Sequence, residues 1–189
     1  KVDKKITITQ NIGSPEIREQ IWKIYEQSFA GKELECAQNQ KCYDWTTFLA
    51  TLSDPDYFKY YLEIDGKVIA YMLSTNNLEK AKITYFNPER YFLLFPEYAP
   101  NRINYCTSLA VLAEYKESKA FYEIMSEFLN HIFNTLNGML AFDFAHETMS
   151  KLPKILQLIW KKGKRTGNLE YIKVGAQEFS GMVLKKSTE

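Results

Sequence analysis

The sequence predicts a mixed α/β fold: one strongly twisted mixed sheet of about seven strands, helices on both faces, and a single domain over residues 1–189. Three observations carry this. Asp65-Gly66 sits between two apolar-rich runs, a turn signal that requires an antiparallel hairpin. Two apolar strand-like runs, residues 103–112 and 138–145, are each followed by a helical pattern, which requires crossover connections and a parallel component. The chain has 189 residues, enough to bury one substantial core.

The elements follow in order. "KITIT" (residues 5–9) alternates and is β-branched, so it reads as a strand. Ser14-Pro15 opens a helix, with Ser14 suited to the N-cap and Pro15 to the first helical position. Ile17, Ile21, Ile24, Tyr25 and Phe29 line one face of it, and Gly31 is expected to end it. A polar loop, "GKELECAQNQK", leads to a second short helix over "YDWTTFLATL". The hairpin spans residues 57–77. "KITYF" (residues 82–86) is a further candidate strand, and "NPERYFLLFPEYAPN", with its three prolines, reads as an irregular aromatic insertion that packs on or covers something. "INYCTSLAVL" is expected to be a central strand because its second half is apolar without a break. Phe121, Ile124, Met125, Phe128, Leu129, Ile132, Phe133 and Leu136 form the stripe of the helix after it. "GMLAFDFA" is the next strand, "MSKLPKILQLIWKKGKR" the next helix, and "LEYIKVGAQEFSGMVLKK" two closing strands around Gly175-Ala176.

Composition narrows the function classes. A net charge of +1 gives no global attraction to nucleic acid or to a membrane surface. The longest apolar runs, such as "YFLLF", fall far short of the ~18 residues of a spanning helix. "KVDKKITITQ" lacks the apolar core of a signal peptide, so a cytoplasmic location is expected. Cys36, Cys42 and Cys106 are too few and too irregularly spaced for a disulfide framework or a metal site, so free thiols and no bound metal are expected.

Four pieces in this order resemble the GNAT N-acetyltransferase superfamily over nearly the whole chain. "YLEIDGKVIAYML" is similar to the family's second and third strands, and "SLAVLAEYKESKAFYEIMSEFL" to its signature strand–loop–helix. "MLAFDFAHETMSKLPKILQLIWKKG" is similar to the fifth strand and following helix, and "YIKVGAQEFSGMVLKK" to the closing strand pair. The resemblance implies an acyl-coenzyme A co-substrate, acetyl-CoA or another acyl-CoA. Leu109, Ala110 and Val111 would be among its binding residues, and its pyrophosphate would lie on the turn at Lys116, Ser118, Lys119, Ala120 and Phe121.

The family pattern Gln/Arg-x-x-Gly-x-Gly/Ala fits this chain in two ways. One places Lys116 at the basic position with Lys119 and Phe121 at the glycines; the other places Tyr115, Ser118 and Ala120 there. Neither supplies glycine. The start of a helix offers unpaired N–H donors and about half a positive charge whatever its sequence, and Lys116 and Lys119 add charge.

For acyl transfer, the resemblance implies a general base, an acid and acceptor contacts. "AHET" places His146 and Glu147 just past the strand that would flank the thioester, an imidazole beside a carboxylate that tunes it. Tyr105 is a candidate hydrogen-bonding residue toward substrate, among Asn104, Cys106 and Thr107. Cys106 reads as a buried thiol, since no histidine partner accompanies it. His131 reads as structural. Relatives place an acidic tyrosine on the late helix, where this chain has Ile159 or Trp160.

The implied function is acyl-CoA-dependent N-acyltransfer to an amine of a small molecule or peptide, by direct attack on the thioester, with a homodimer also allowed. The competing expectation is a GNAT-shaped interaction protein that has lost productive coenzyme A use, supported by the missing glycines and tyrosine. The aromatic insertion raises a third, a longer acyl donor.

Overall fold

The computed structural model describes residues 2–29, 42–81, 87–145, 150–176 and 180. Five strands are present among them: β1 (Lys4–Thr9), β2 (Tyr57–Ile64), β3 (Lys67–Thr75), β4 (Ile103–Val111) and β5 (Met139–Ala141). They lie side by side in chain order, antiparallel except for the parallel β4–β5 pair. The helices are α1 (Pro15–Phe29), α2 (Trp45–Ser53), α3 (Pro88–Leu94), α4 (Ala120–Asn130) and α5 (Leu152–Lys162).

Local chemistry accounts for these elements. The Ser14 hydroxyl accepts from Ile17 N at 3.3 Å and caps α1. Asp44 caps α2 by accepting from Thr47 N at 2.7 Å. Asp65 and Gly66 have φ of 49° and 80°, the two positive values that a type I′ hairpin turn needs.

The sheet is buried on both faces. α4 and α5 cover one with Ile124, Phe128, Leu129, Leu156, Ile159 and Trp160, packed on Tyr60, Leu62 and Met72. α1 and α2 cover the other with Ile21, Ile24, Phe48 and Leu52, packed on Val68, Tyr71, Leu73 and Ala110. Two bulges shift register: Ile69 is the extra residue in β3, and Thr107 the extra residue in β4.

Four expectations change. About seven strands become five among the described residues: Leu169 to Ala176 form no strand, and residues 177–179 and 181–189 lie outside the described residues, as do "KITYF" and Gly31. The strand expected over residues 138–145 shortens to three, because β5 leaves β4 after Ala141. The insertion is not wholly irregular, since Asn87 accepts from Glu89 N at 3.0 Å and Pro88 starts α3. The stripe expected to run unbroken to Leu136 passes from α4 into a π-turn, His131–Thr135, closed by Leu136 N donating to His131 O at 2.9 Å.

Gly138 follows that turn. A Cβ there would lie 2.5 Å from Arg102 O and 2.6 Å from Asn104 Nδ2, so the approach of β5 to β4 needs glycine.

Candidate functional site

The two parallel strands make a fork. β4 meets β5 only through Ile103–Met139, Asn104–Leu140 and Tyr105–Ala141. Residues 142–145 then depart, while β4 continues to Val111 with β3 along one edge. Among the described residues, no strand bonds the other edge of residues 106–111. Such an edge presents N–H and C=O groups to any extended, amide-bearing chain that enters.

At the base of the fork, buried Tyr105 donates its hydroxyl to Asp143 Oδ1. Asp143 is exposed, on the segment leaving β5. Burial pushes the neighbouring Cys106 thiol up to about 12, and the Asp143 carboxylate adds to that, so this thiol is not a nucleophile near neutral pH. Tyr91, from α3, is raised above its ordinary value, first by burial and then by the charge of Asp143. The aromatic insertion therefore borders the fork: Tyr91, Phe92, Phe95 and Tyr98 pack around Tyr105, Ile103 and Ala141. Phe142 and Phe144 stack at 5.9 Å on the departing segment, and Tyr171 lies 6.4 Å from Phe142.

At the top, β4 runs through Leu112 into a single 3-10 turn, Ala113–Tyr115, and then α4. Its amides are largely engaged. Ala113 N donates to Gln27 Oε1 (3.2 Å), Tyr115 N to Leu112 O (2.8 Å), Lys116 N to Ala113 O (3.3 Å), and Ser118 N to Tyr115 O (3.0 Å). Ser118 Oγ donates to Tyr115 O (2.6 Å) and accepts from Ala120 N (3.1 Å). Glu123 N donates to Lys119 O at 2.9 Å. In the first turn of α4, that leaves the N–H groups of Phe121 and Tyr122 without an intrahelical acceptor. Ala120 is buried, and Phe121 turns its bulk onto the α4 core. Lys116, Ser118 and Lys119 are exposed. Glu114 pairs with Lys67 at 2.7 Å, which holds its carboxyl below the ordinary range and ties the turn to the hairpin.

The structure thus joins Tyr105 to the β4 edge of Leu109, Ala110 and Val111 and to the turn beyond. His146 and Glu147 lie outside the described residues. His131 is away from the fork: its Nδ1 is 2.7 Å from the Tyr60 hydroxyl, and burial holds its pKa below the ordinary value. Ile159 and Trp160 are 4% and 5% exposed and pack in the core beside α4, and neither carries an acid that could protonate a thiolate. Asp143 is the residue that sequence reasoning missed. Its signal is an acid between two phenylalanines in "FDF", where a wholly buried strand would have none.

No protein-family model and no curated protein sequence matches the chain. Solved structures do match in fold. The aminoglycoside N-acetyltransferase AAC(6')-Iy in complex with CoA is 14% identical with a TM-score of 0.53, over 92% of this chain and 94% of that one. Tetrahymena GCN5 is 13% identical at 0.52, over 83% and 86%. The ribosomal-protein-S18-alanine N-acetyltransferase of Escherichia coli is 10% identical at 0.51, over 84% and 76%.

Proposed function

From a chain that carries the GNAT acetyltransferase fold, we propose an acyl-CoA-dependent N-acyltransferase, most simply an acetyltransferase, acting on an amine. The observation that carries this reading is the fork, in which residues 106–111 of β4 have, among the described residues, no strand on one edge, an edge that ends at the start of α4. The pantetheine arm of coenzyme A contains amides and suits such an edge. Pyrophosphate suits the start of α4, where Lys116, Lys119 and two first-turn N–H groups supply charge and donors. A bound amine nitrogen attacks the thioester carbonyl carbon, the C–S bond breaks, and the thiolate takes its proton from water, since no side chain at Ile159 or Trp160 can give one.

Asp143, oriented by Tyr105, is the acceptor's anchor: a carboxylate at the base of the fork attracts a protonated amine. His146, tuned by Glu147, is assigned the role of base that removes the amine's proton, three residues beyond Asp143 in the chain. Substrates are therefore expected to be cationic amines of a small molecule or a peptide.

A second reading is favoured by one specific observation. Most amides of the Ala113–Lys119 turn are engaged within the protein, which suits a binding protein that no longer uses coenzyme A. Calorimetric titration with acetyl-CoA and coenzyme A separates the two. The first reading expects micromolar binding, weakened at least about tenfold in Lys116→Glu/Lys119→Glu, whose side chains are exposed and can change without unfolding the chain. A folded wild type that binds neither compound sinks the acyltransferase reading.

A further inference from the structure

Charge in this chain is segregated. Six of its 24 basic residues fall between Lys151 and Arg165, a stretch without Asp or Glu. The remainder, with 18 Lys and Arg against 23 Asp and Glu, is net −5. The basic stretch is α5 and the turn after it, and it borders an open groove of about 620 Å³. Lys154, Lys161 and Arg165 wall that groove, Leu158, Trp160 and Leu169 give it an apolar floor, and among the described residues no carboxylate lines it. It shares no residue with the fork.

The helix dipole explains only part of this charge. Lys161 and Lys162 sit in the last turn of α5, where cations are favoured. Lys151 holds the N-cap and Lys154 the first turn, where cations are disfavoured, and that first turn contains no acid. A sequence that breaks a local rule along one continuous surface marks a functional one. The wall is also built rigidly. Arg165 Nη2 donates to Ser126 O and Oγ, each at 2.9 Å, and its guanidinium lies 5.3 Å over the Trp160 ring. Gly163 admits this: a Cβ there would lie 2.4 Å from Arg165 Nη1. Leu158 stands 56% exposed between the lysines.

We propose that this groove docks an acidic peptide segment of a partner protein, its carboxylates on Lys154 and Lys161 and an aliphatic or aromatic side chain on Leu158. Charge complementarity selects the anion, and the concave apolar floor selects a chain with a side-chain anchor over a flat bilayer. Trp160, only 5% exposed, offers no stacking face to a nucleic-acid base.

Fluorescence anisotropy of the full chain with a labelled glutamate-rich peptide carrying two leucines tests this. Saturable binding that weakens as salt rises is expected, reduced at least about tenfold in Lys154→Glu/Lys161→Glu. Leu158→Ser should weaken the leucine peptide about tenfold and leave a leucine-free polyglutamate unchanged. Absence of saturable binding to the folded wild type overturns the proposal, as does equal binding by the charge-reversed variant. Tighter capture by phosphatidylserine vesicles or by a DNA duplex than by the peptide also overturns it, in favour of those surfaces.

Discussion

β4 is two strands in one. Residues 103–105 are paired with β5, Tyr105 is paired with β3 as well, and none of the three is more than 1% exposed. Residues 106–111 keep β3 on one side and, among the described residues, no strand on the other. Composition does not separate the halves, since both are rich in apolar residues. The difference lies in where β5 leaves. If the paired half works as core and the forked half as the proposed coenzyme A site, stability and ligand binding should come apart along one strand.

The largest effect expected tests that separation directly. Ile103→Ala, in the paired half, removes a fully buried side chain and should cost about 3 kcal/mol in urea unfolding. Leu109→Ala, a half-buried position in the forked half, should cost less than about half of that while weakening coenzyme A binding more. Equal losses of stability at the two positions would break the comparison.

The next effect comes from the opposite side of the sheet, where β2 is paired on both edges and holds a buried lysine. Lys59 Nζ donates to Gln10 O at 2.7 Å and also to Asp54 O. Burial lowers its pKa from 10.5 to about 8. Between those values the unfolded chain binds the proton that the folded chain has released, so Lys59 by itself adds about 2 kcal/mol of stability as pH rises from about 8 to about 10. Opposing groups confine the net rise to below about pH 9, because burial raises the Cys106 thiol from 9.0 to about 12 and Tyr25 from 10.0 to about 12, and pushes Tyr57, Tyr60 and Tyr71 upward as well. The difference in urea midpoint between the wild type and Lys59→Met isolates the lysine, and it should move in favour of the wild type between pH 7.5 and 9.5.

A smaller effect belongs to the base of the fork. Tyr105→Phe removes one hydrogen bond to an exposed carboxylate and should cost about 1 kcal/mol. Its loss in kcat/KM with a cationic amine should exceed that in KM for acetyl-CoA. Asp143→Asn should do the same without the loss of stability. Cys106 should resist alkylation at pH 8 in the folded protein and react once it unfolds, its thiol having been pushed up to about 12.

Much of the paired region was legible because its signals are local. Asp65-Gly66 names its own turn, Ser14 its own cap, and the stripe from Phe121 names a helix face. The fork was not legible, because an apolar run such as "GMLAFDFA" states β-propensity but not where its partner ends. Asp143 gains its meaning only from Tyr105, 38 residues earlier. The turn before α4 was legible as a glycine-free junction, but its inward amide bonds depend on Gln27 of α1 and on the placement of Ser118. For the closing strand pair, the composition of residues 169–176 is strand-like, yet an extended segment is a strand only when a neighbour takes its backbone bonds.

The smallest effect expected sharpens the same contrast on α4, whose start is assigned to coenzyme A and whose far end is structural. His131 lies just past that helix, with Nδ1 on the Tyr60 hydroxyl at 2.7 Å and its ring edge-on to Phe58 at 5.1 Å. Burial lowers its pKa below 6.5. Below that pH the unfolded chain takes up a proton that the folded chain refuses, so stability should fall as pH drops through 6.5 toward the folded value. His131→Gln, which keeps a partner for Tyr60, should remove that step in the urea midpoint. Affinity for coenzyme A, measured by calorimetry across the same range, should show no step that the variant removes. If affinity carries the step and stability does not, the histidine belongs to the ligand site, and the division of α4 into a binding end and a packing end is wrong.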